Sequence, residues 1–115
     1  MPTFVKERAD APDGFFAWEA AGLGWLAAGA EMAGGIAVVA VQAVDRTQIR
    51  LDRVATAPAT RAAAEAFGRS LARTHRSGAP AFGSAPPGWR GDGWIGRQRL
   101  PIRDHARWGE FYAAD

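Results

Sequence analysis

The sequence predicts an α+β fold, and three observations carry that expectation. A short β-branched segment, residues 36–44, and one that alternates apolar with polar, residues 48–54, follow one another across a polar turn. Two longer segments, one starting at Phe15 and one spanning residues 60–76, carry helical spacing of apolar residues. A short apolar start, Phe4-Val5-Lys6, stands ahead of the first helix as a strand. At 115 residues the chain makes one domain, or a piece of one.

Residues 3–7 read as the first strand, and residues 8–14, Arg-Ala-Asp-Ala-Pro-Asp-Gly, as a polar turn. Asp13 is the expected N-cap of the first helix, because a short carboxylate there accepts from the helix's unpaired amides. At about 100° per residue, Phe15, Gly22 and Leu26 share one stripe, with Trp18 and Trp25 at its edge. Glu19 falls about 40° from Phe15, within that stripe, where a carboxylate loses water and needs a partner. The helix is expected to end between Gly29 and Gly35.

Residues 36–44, Ile-Ala-Val-Val-Ala-Val-Gln-Ala-Val, are expected to form a buried strand, with Asp45-Arg46 as the turn. Residues 48–54 alternate apolar with polar and are expected to run antiparallel to it, half exposed. Ala55 to Ala59, with Pro58, is a linker. Thr60 is the expected cap of the second helix. Ala64, Phe67, Leu71 and His75 line its apolar face, and Arg69, Arg73 and Arg76 the opposite, solvated one. Ser77-Gly78 ends it, with basic side chains in the last turn where the helix dipole favours them. Residues 79–104, rich in Gly, Pro, Trp and Arg, read as an irregular segment. The last residues, from Arg107 to Asp115, read as the start of a helix. The expected division is residues 1–54 as one part and residues 55–115 as linker, helix and the beginning of a second part.

Composition narrows the function classes. With 48% hydrophobic and 23% charged residues the chain is globular. Its net charge is only +2, and its acids are interleaved with its bases, which argues against a nucleic-acid-binding face. There is no cysteine, so disulfides and thiolate chemistry are excluded, and two histidines alone make a poor metal set. No apolar run reaches membrane-spanning length and no signal-peptide layout opens the chain, so a cytoplasmic location is expected. Gly34-Gly35 lacks the spacing of a phosphate loop. His75 reads as a core or interface histidine, and His105 lies in a polar stretch without an assigned role.

One pair stands apart. Lys6 is the only lysine; the other basic residues are all arginine. It ends a strand, and Glu19 lies on the helix that follows. A strand lysine held by a helix glutamate is how kinase-like folds grip nucleotide phosphates.

Several further strings line up with that arrangement. They are Phe4-Val5-Lys6-Glu7, Phe15-Phe16 with Glu19-Ala20, and Ala64-Glu65-Ala66-Phe67-Gly68-Arg69-Ser70-Leu71-Ala72 leading to His75. Further on come Gly78-Ala79-Pro80-Ala81-Phe82-Gly83, Pro87-Gly88-Trp89, Gly91-Asp92-Gly93-Trp94-Ile95-Gly96 and Trp108-Gly109-Glu110-Phe111-Tyr112-Ala113. In this order the chain resembles the fructosamine kinase (ketosamine 3-kinase) family of the aminoglycoside-phosphotransferase-like kinases. The Gly-Asp-Gly-aromatic-Ile-Gly and Trp-Gly-Glu-Phe-Tyr strings are its specific part.

The resemblance implies a partial protein-kinase-like N-lobe of about three antiparallel strands and a helix. It implies ATP-dependent phosphorylation of a ketosamine sugar hydroxyl, a step of protein deglycation, with ATP and Mg2+ as cofactors. By position, Lys6 would hold the α- and β-phosphates and Glu19 would orient it. The backbone of Asp52, Arg53 and Val54 would form the adenine hinge. Asp92 and Trp94 are substrate-side candidates; Trp89, Trp94 and Trp108 offer flat rings for stacking or for packing against another lobe. The family's glycine loop before the lysine strand is absent from these residues, as are its His-Gly-Asp catalytic loop and magnesium-binding Asp. The expectation is therefore a truncated kinase, inactive alone, with exposed lobe surfaces prone to self-association. The alternative expectation is a non-catalytic interaction module using the Arg69–Arg73–Arg76 face and the Trp/Arg segment of residues 89–108 to contact an acidic partner.

Overall fold

The computed structural model describes residues 2–113. Contacts divide the chain at Gly78/Ala79 into two compact units.

The first unit is a three-stranded antiparallel sheet with one helix packed on it and a second helix packed on the first. Its strands are β1 (Thr3–Glu7), β2 (Val41–Val44) and β3 (Gln48–Asp52), in the order β1-β3-β2. The central strand β3 pairs Phe4 with Leu51 and Lys6 with Ile49. Paired residues share a sheet face, so Phe4 and Lys6 lie on the same side as Leu51 and Ile49. That side receives helix α1 (Phe15–Ala33), and the core forms there from Ala11, Phe16, Ile49 and Leu51. Ile49 is completely buried.

Helix α1 turns a different face to the sheet from the one its spacing suggested. Phe16 and Ala30 are buried, with Ala20 and Leu23 packed between them, whereas Leu26 is 52% exposed. Phe15 stays half-buried, set edge-on to Phe16 with ring centroids 5.0 Å apart. The helix carries only two charges, Glu19 and Glu31. Its own pattern is therefore nearly flat around the axis, and packing on Ile49 and Leu51 chooses the stripe. The cap is also corrected: Gly14, in the left-handed region at φ 82°, occupies the N-cap position and no side chain caps the helix, so Asp13 does not. Gly34, at φ 65°, ends the helix as a glycine at this position should, and the Gly35 amide donates back to the Ala30 carbonyl.

The strand expected over residues 36–44 begins only at Val41. Upstream, the Ile36 amide is taken by a side chain, the Thr74 hydroxyl at 2.9 Å, instead of by a neighbouring strand. Thr74 belongs to helix α2 (Arg61–Arg76) and is 5% exposed. Its hydroxyl also donates to the Ser70 carbonyl at 3.3 Å. Thr60 caps this helix as expected, accepting from the Ala63 amide at 3.0 Å. The buried side of α2 runs through Ser70, Leu71 and Thr74; Ala64, Phe67 and His75 are exposed, so His75 is not a core residue. The expected strand 48–54 stops at Asp52. The β2–β3 turn is tied to the chain before α1 by Arg46, which donates to the Ala11 and Ala9 carbonyls at 2.9 and 3.3 Å.

The second unit contains a hairpin of β4 (Gly93–Ile95) and β5 (Gln98–Leu100), where the sequence suggested an irregular segment. Gly96 at φ 57° makes the two-residue turn between them. An isolated bridge joins Phe82 to His105, and helix α3 (Trp108–Ala113) follows. Ala114 and Asp115 lie outside the described residues.

Candidate functional site

Lys6 and Glu19 meet. β1 presents Lys6 on the helix-covered face, and the second turn of α1 presents Glu19 toward it. The Lys6 Nζ donates to both carboxylate oxygens, at 3.2 and 3.1 Å. Side-chain exposures of 47% and 30% leave the pair in contact with solvent. An ammonium carries three protons, and two directed at Glu19 leave a third for a further acceptor. The strand fixes the lysine, the helix fixes its counter-ion, and together they present an aimed positive charge at the sheet surface.

The three expected hinge residues differ from one another. The Asp52 amide donates to the Ala40 carbonyl at 3.0 Å and the Arg53 amide to the Pro2 carbonyl at 2.9 Å. Both donors are thus used within the sheet. The Asp52 carboxylate accepts from Gln42 at 2.7 Å, and the Arg53 guanidinium lies over the Phe4 ring at 5.6 Å. Val54, 68% exposed, makes no hydrogen bond among the described residues and keeps its amide available.

A further charged group of the first unit closes the β2–β3 turn. Asp45 accepts from the backbone amides of Thr47 and Gln48 at 2.9 and 3.0 Å. These bonds, the Thr47 amide foremost, hold its carboxyl below the usual range although burial opposes them. The arginines of the α2 face, Arg69, Arg73 and Arg76, are exposed.

In the second unit Asp92 is engaged in the loop that carries the hairpin. It accepts from the Ile102 amide at 3.4 Å, its own carbonyl accepts from the Trp89 indole at 3.3 Å, and Arg99 lies 3.9 Å from its carboxylate. Trp94 sits on β4 opposite Arg99 and is half-buried. A groove of about 330 Å³ gathers Arg103 and His105 with Leu100, Trp108, Phe111 and Tyr112. Trp108 and Tyr112 stack at 4.7 Å, and His105 lies 6.0 Å from the Phe111 ring. The sequence reading gave His105 no role; the four-residue spacing of Trp108 and Tyr112 was the one available sign of a shared ring surface.

Comparison with known proteins bears on these sites. The family model for fructosamine kinase matches residues 1–115. The crystal structure of a "putative fructosamine-3-kinase" from Thermobifida fusca YX-ER1 is similar, with a TM-score of 0.78 and 37% sequence identity. The match covers 97% of this chain and 37% of that one, so the chain spans little more than a third of its length. No curated protein matches significantly. The α+β architecture, with its antiparallel sheet and helices, agrees with the kinase-like N-lobe of the similar structure.

Proposed function

Because this chain belongs to the fructosamine kinase family, we propose that it carries the phosphate-anchoring part of an ATP-dependent ketosamine 3-kinase. The observation that carries this reading is the bidentate contact of Lys6 with Glu19. A lysine used only to solubilise an edge strand has no need of a helix carboxylate aimed at it. In the proposed role Glu19 holds the ammonium in place and the remaining proton of Lys6 reaches the α- and β-phosphates of ATP. Val54 supplies the hinge amide for adenine, with Asp52 and Arg53 shaping the backbone around it. Trp94 contributes on the ketosamine side, and Asp92 holds its loop.

ATP and Mg2+ are the cofactors of the proposed reaction. The Lys6 ammonium suits an anionic phosphate. Among the described residues no three His, Asp or Glu side chains gather into a metal cluster, so no step is assigned to Mg2+ on these residues. Transfer of the γ-phosphoryl group requires a base and metal electrostatics besides positioning. The 115-residue chain alone is therefore proposed to bind nucleotide without turning over a fructosamine. We place the protein in the cytoplasm, where ATP is abundant; among the described residues no helix is long and apolar enough to cross a membrane. Self-association through exposed lobe surfaces belongs to the same proposal, since Phe67 and Trp108 are 53% and 59% exposed.

Titration calorimetry of the chain with ATP and Mg2+ tests the reading. Lys6→Met is expected to weaken binding about 10- to 100-fold, the worth of one charge-assisted hydrogen bond. Equal affinity in Lys6→Met and the parent chain would refute the phosphate role. Heat that vanishes steeply with added salt and needs no Mg2+ would instead favour a polyanion on the exposed arginine face of α2.

A further inference from the structure

We infer that Arg46 is the positioning residue of the Lys6–Glu19 pair: from the β2–β3 turn it pins the chain between β1 and α1, and so sets where Glu19 stands against Lys6. Its bearing on nucleotide rests on the phosphate-anchoring role proposed above; the positioning itself is read on Lys6 without any ligand.

Aiming Glu19 takes more than α1 provides by itself. Successive residues of an α-helix are about 100° and 1.5 Å apart. A slip of one residue in the placement of α1 would swing Glu19 around the axis and away from Lys6. The apolar pattern of α1 does not select its rotation, since Glu19 and Glu31 are its only charges. Its start is not fixed by a side-chain cap either, because Gly14 stands at the N-cap position. Besides the packing of Phe16, the placement of α1 therefore depends on residues 8–14 and on what holds them.

The β2–β3 turn holds them at three points. The Arg8 amide donates to the Thr47 carbonyl at 2.9 Å. The Arg46 guanidinium reaches further along the connection, Nη1 donating to the Ala11 carbonyl at 2.9 Å and Nη2 to the Ala9 carbonyl at 3.3 Å. Both acceptors belong to a turn that the Ala11 amide closes on the Arg8 carbonyl at 3.1 Å. Ala11 is 2% exposed and shares the core with Phe16. The Phe15 amide then donates to the Pro12 carbonyl at 3.1 Å, and α1 begins. Glu19 follows Phe15 by one helical turn, on the same side of the helix.

The turn that carries Arg46 is braced in its own right. The Asp45 carboxylate accepts from the Thr47 and Gln48 amides at 2.9 and 3.0 Å, and the Asp45 amide donates to the Gln48 carbonyl at 3.0 Å. Strand β3 leaves this turn and pairs Ile49 with Lys6. One turn thus governs both members of the pair, Lys6 through β3 and Glu19 through Arg46. Among the described residues Arg46 makes no ion pair, and its fork is directed at two neutral carbonyls. A planar guanidinium spans two acceptors in fixed geometry.

The test is an NMR measurement on the 115-residue chain grown with isotope-labelled lysine. It gives one side-chain ammonium signal, because Lys6 is the sole lysine. Glu19→Gln marks where that signal lies once the ion pair is lost. Arg46→Met keeps the aliphatic stem and removes every donor. Its Lys6 signal, recorded well below the melting midpoint, is expected to move most of the way to that of Glu19→Gln. Arg46→Gln keeps a donor for one carbonyl and is expected to fall between. ATP affinity should drop about three- to tenfold in Arg46→Met. In a Lys6→Met background the same change should produce no further loss, since the group it acts through is gone. A parent-like Lys6 signal in folded Arg46→Met, or in Arg46→Gln where Arg46→Met does not fold, overturns the positioning role; a lowered melting temperature alone would then make Arg46 a stabiliser of the fold. Losses of affinity that add in the double variant overturn it as well. A shifted Lys6 signal with equal ATP affinity in every variant, Lys6→Met included, upholds Arg46 as the positioning residue and refutes the phosphate role of Lys6 instead.

Discussion

Replacing Thr74 with valine removes one oxygen and almost no volume, and so isolates what a single buried hydroxyl does for the first unit. Thr74 is 5% exposed, accepts from the Ile36 amide at 2.9 Å and donates to the Ser70 carbonyl at 3.3 Å. In Thr74→Val the Ser70 carbonyl loses only a supplementary donor. The Ile36 amide loses its acceptor in a half-buried position, which costs about 1–3 kcal/mol. The gain from the added methyl is less than about 1 kcal/mol. The net expectation is about 1–2 kcal/mol of destabilisation. For a unit of this size each kcal/mol lowers Tm by about 4–8 °C, so a fall of about 5–15 °C should appear in a circular dichroism melt. Thr74→Ser separates hydrogen bonding from packing. It keeps the acceptor and loses one methyl, about 0.8 kcal/mol. If the hydroxyl matters as argued, serine is the milder change. A valine variant as stable as the parent, or less damaging than serine, would show that Thr74 fills space and that its bond to Ile36 is dispensable.

The remaining expectations are more local. Phe16→Ala should cost about 3–5 kcal/mol and Leu26→Ala less than about 1 kcal/mol, because Phe16 is 3% exposed and Leu26 is 52% exposed. Equal denaturant midpoints for the two variants would place the buried stripe of α1 elsewhere. Lys6→Met should shift Tm by only a few degrees, since a half-exposed ion pair is worth about 0.2–1 kcal/mol; a collapse of the fold would mean the pair is structural. For Asp45 the folded carboxyl is held below its ordinary value by the Thr47 and Gln48 amides. Its contribution is present above the ordinary carboxylate pKa and lost as pH falls through the lower folded value. Asp45→Ala should therefore lower Tm at neutral pH, with the gap closing on strong acidification; a gap independent of pH would show that charge is not involved.

The residues that the sequence made legible are those whose signals are local. β1 falls on residues 3–7 as expected because its apolar start is bounded by a polar turn. Thr60 caps α2 because the hydroxyl needs only the amide three residues on. The Lys6–Glu19 contact followed from the resemblance, and its partial exposure did not, since exposure depends on what else covers the sheet. The buried face of α1 was illegible for a physical reason: a helix apolar on most sides has no preferred stripe until a sheet is laid against it. The late start of β2 was equally hidden, because it depends on a hydroxyl 38 residues away in sequence. The β4–β5 hairpin was available in principle from Gly96-Arg97 between Trp94-Ile95 and Gln98-Arg99-Leu100, but the polar second arm and the surrounding density of Gly, Pro and Arg masked it.

The meeting of Gly35 with Thr74 sets an asymmetry in how this sequence can drift. Gly35 does not have a positive φ, so its backbone alone would admit alanine. Space forbids it. A Cβ at Gly35 would collide with the Thr74 hydroxyl and come within 3.0 and 3.1 Å of the Thr74 backbone nitrogen and Cα. Shrinking the side chain at position 74 relieves the first of these and leaves the other two. Position 74 can thus exchange threonine for serine at small cost, while a side chain at position 35 needs the α2 backbone to give way even when its neighbour shrinks. A descendant of this chain that lost its glycine there would have to move α2 away from the segment that follows α1, and compensation by a second substitution at Thr74 would fall short.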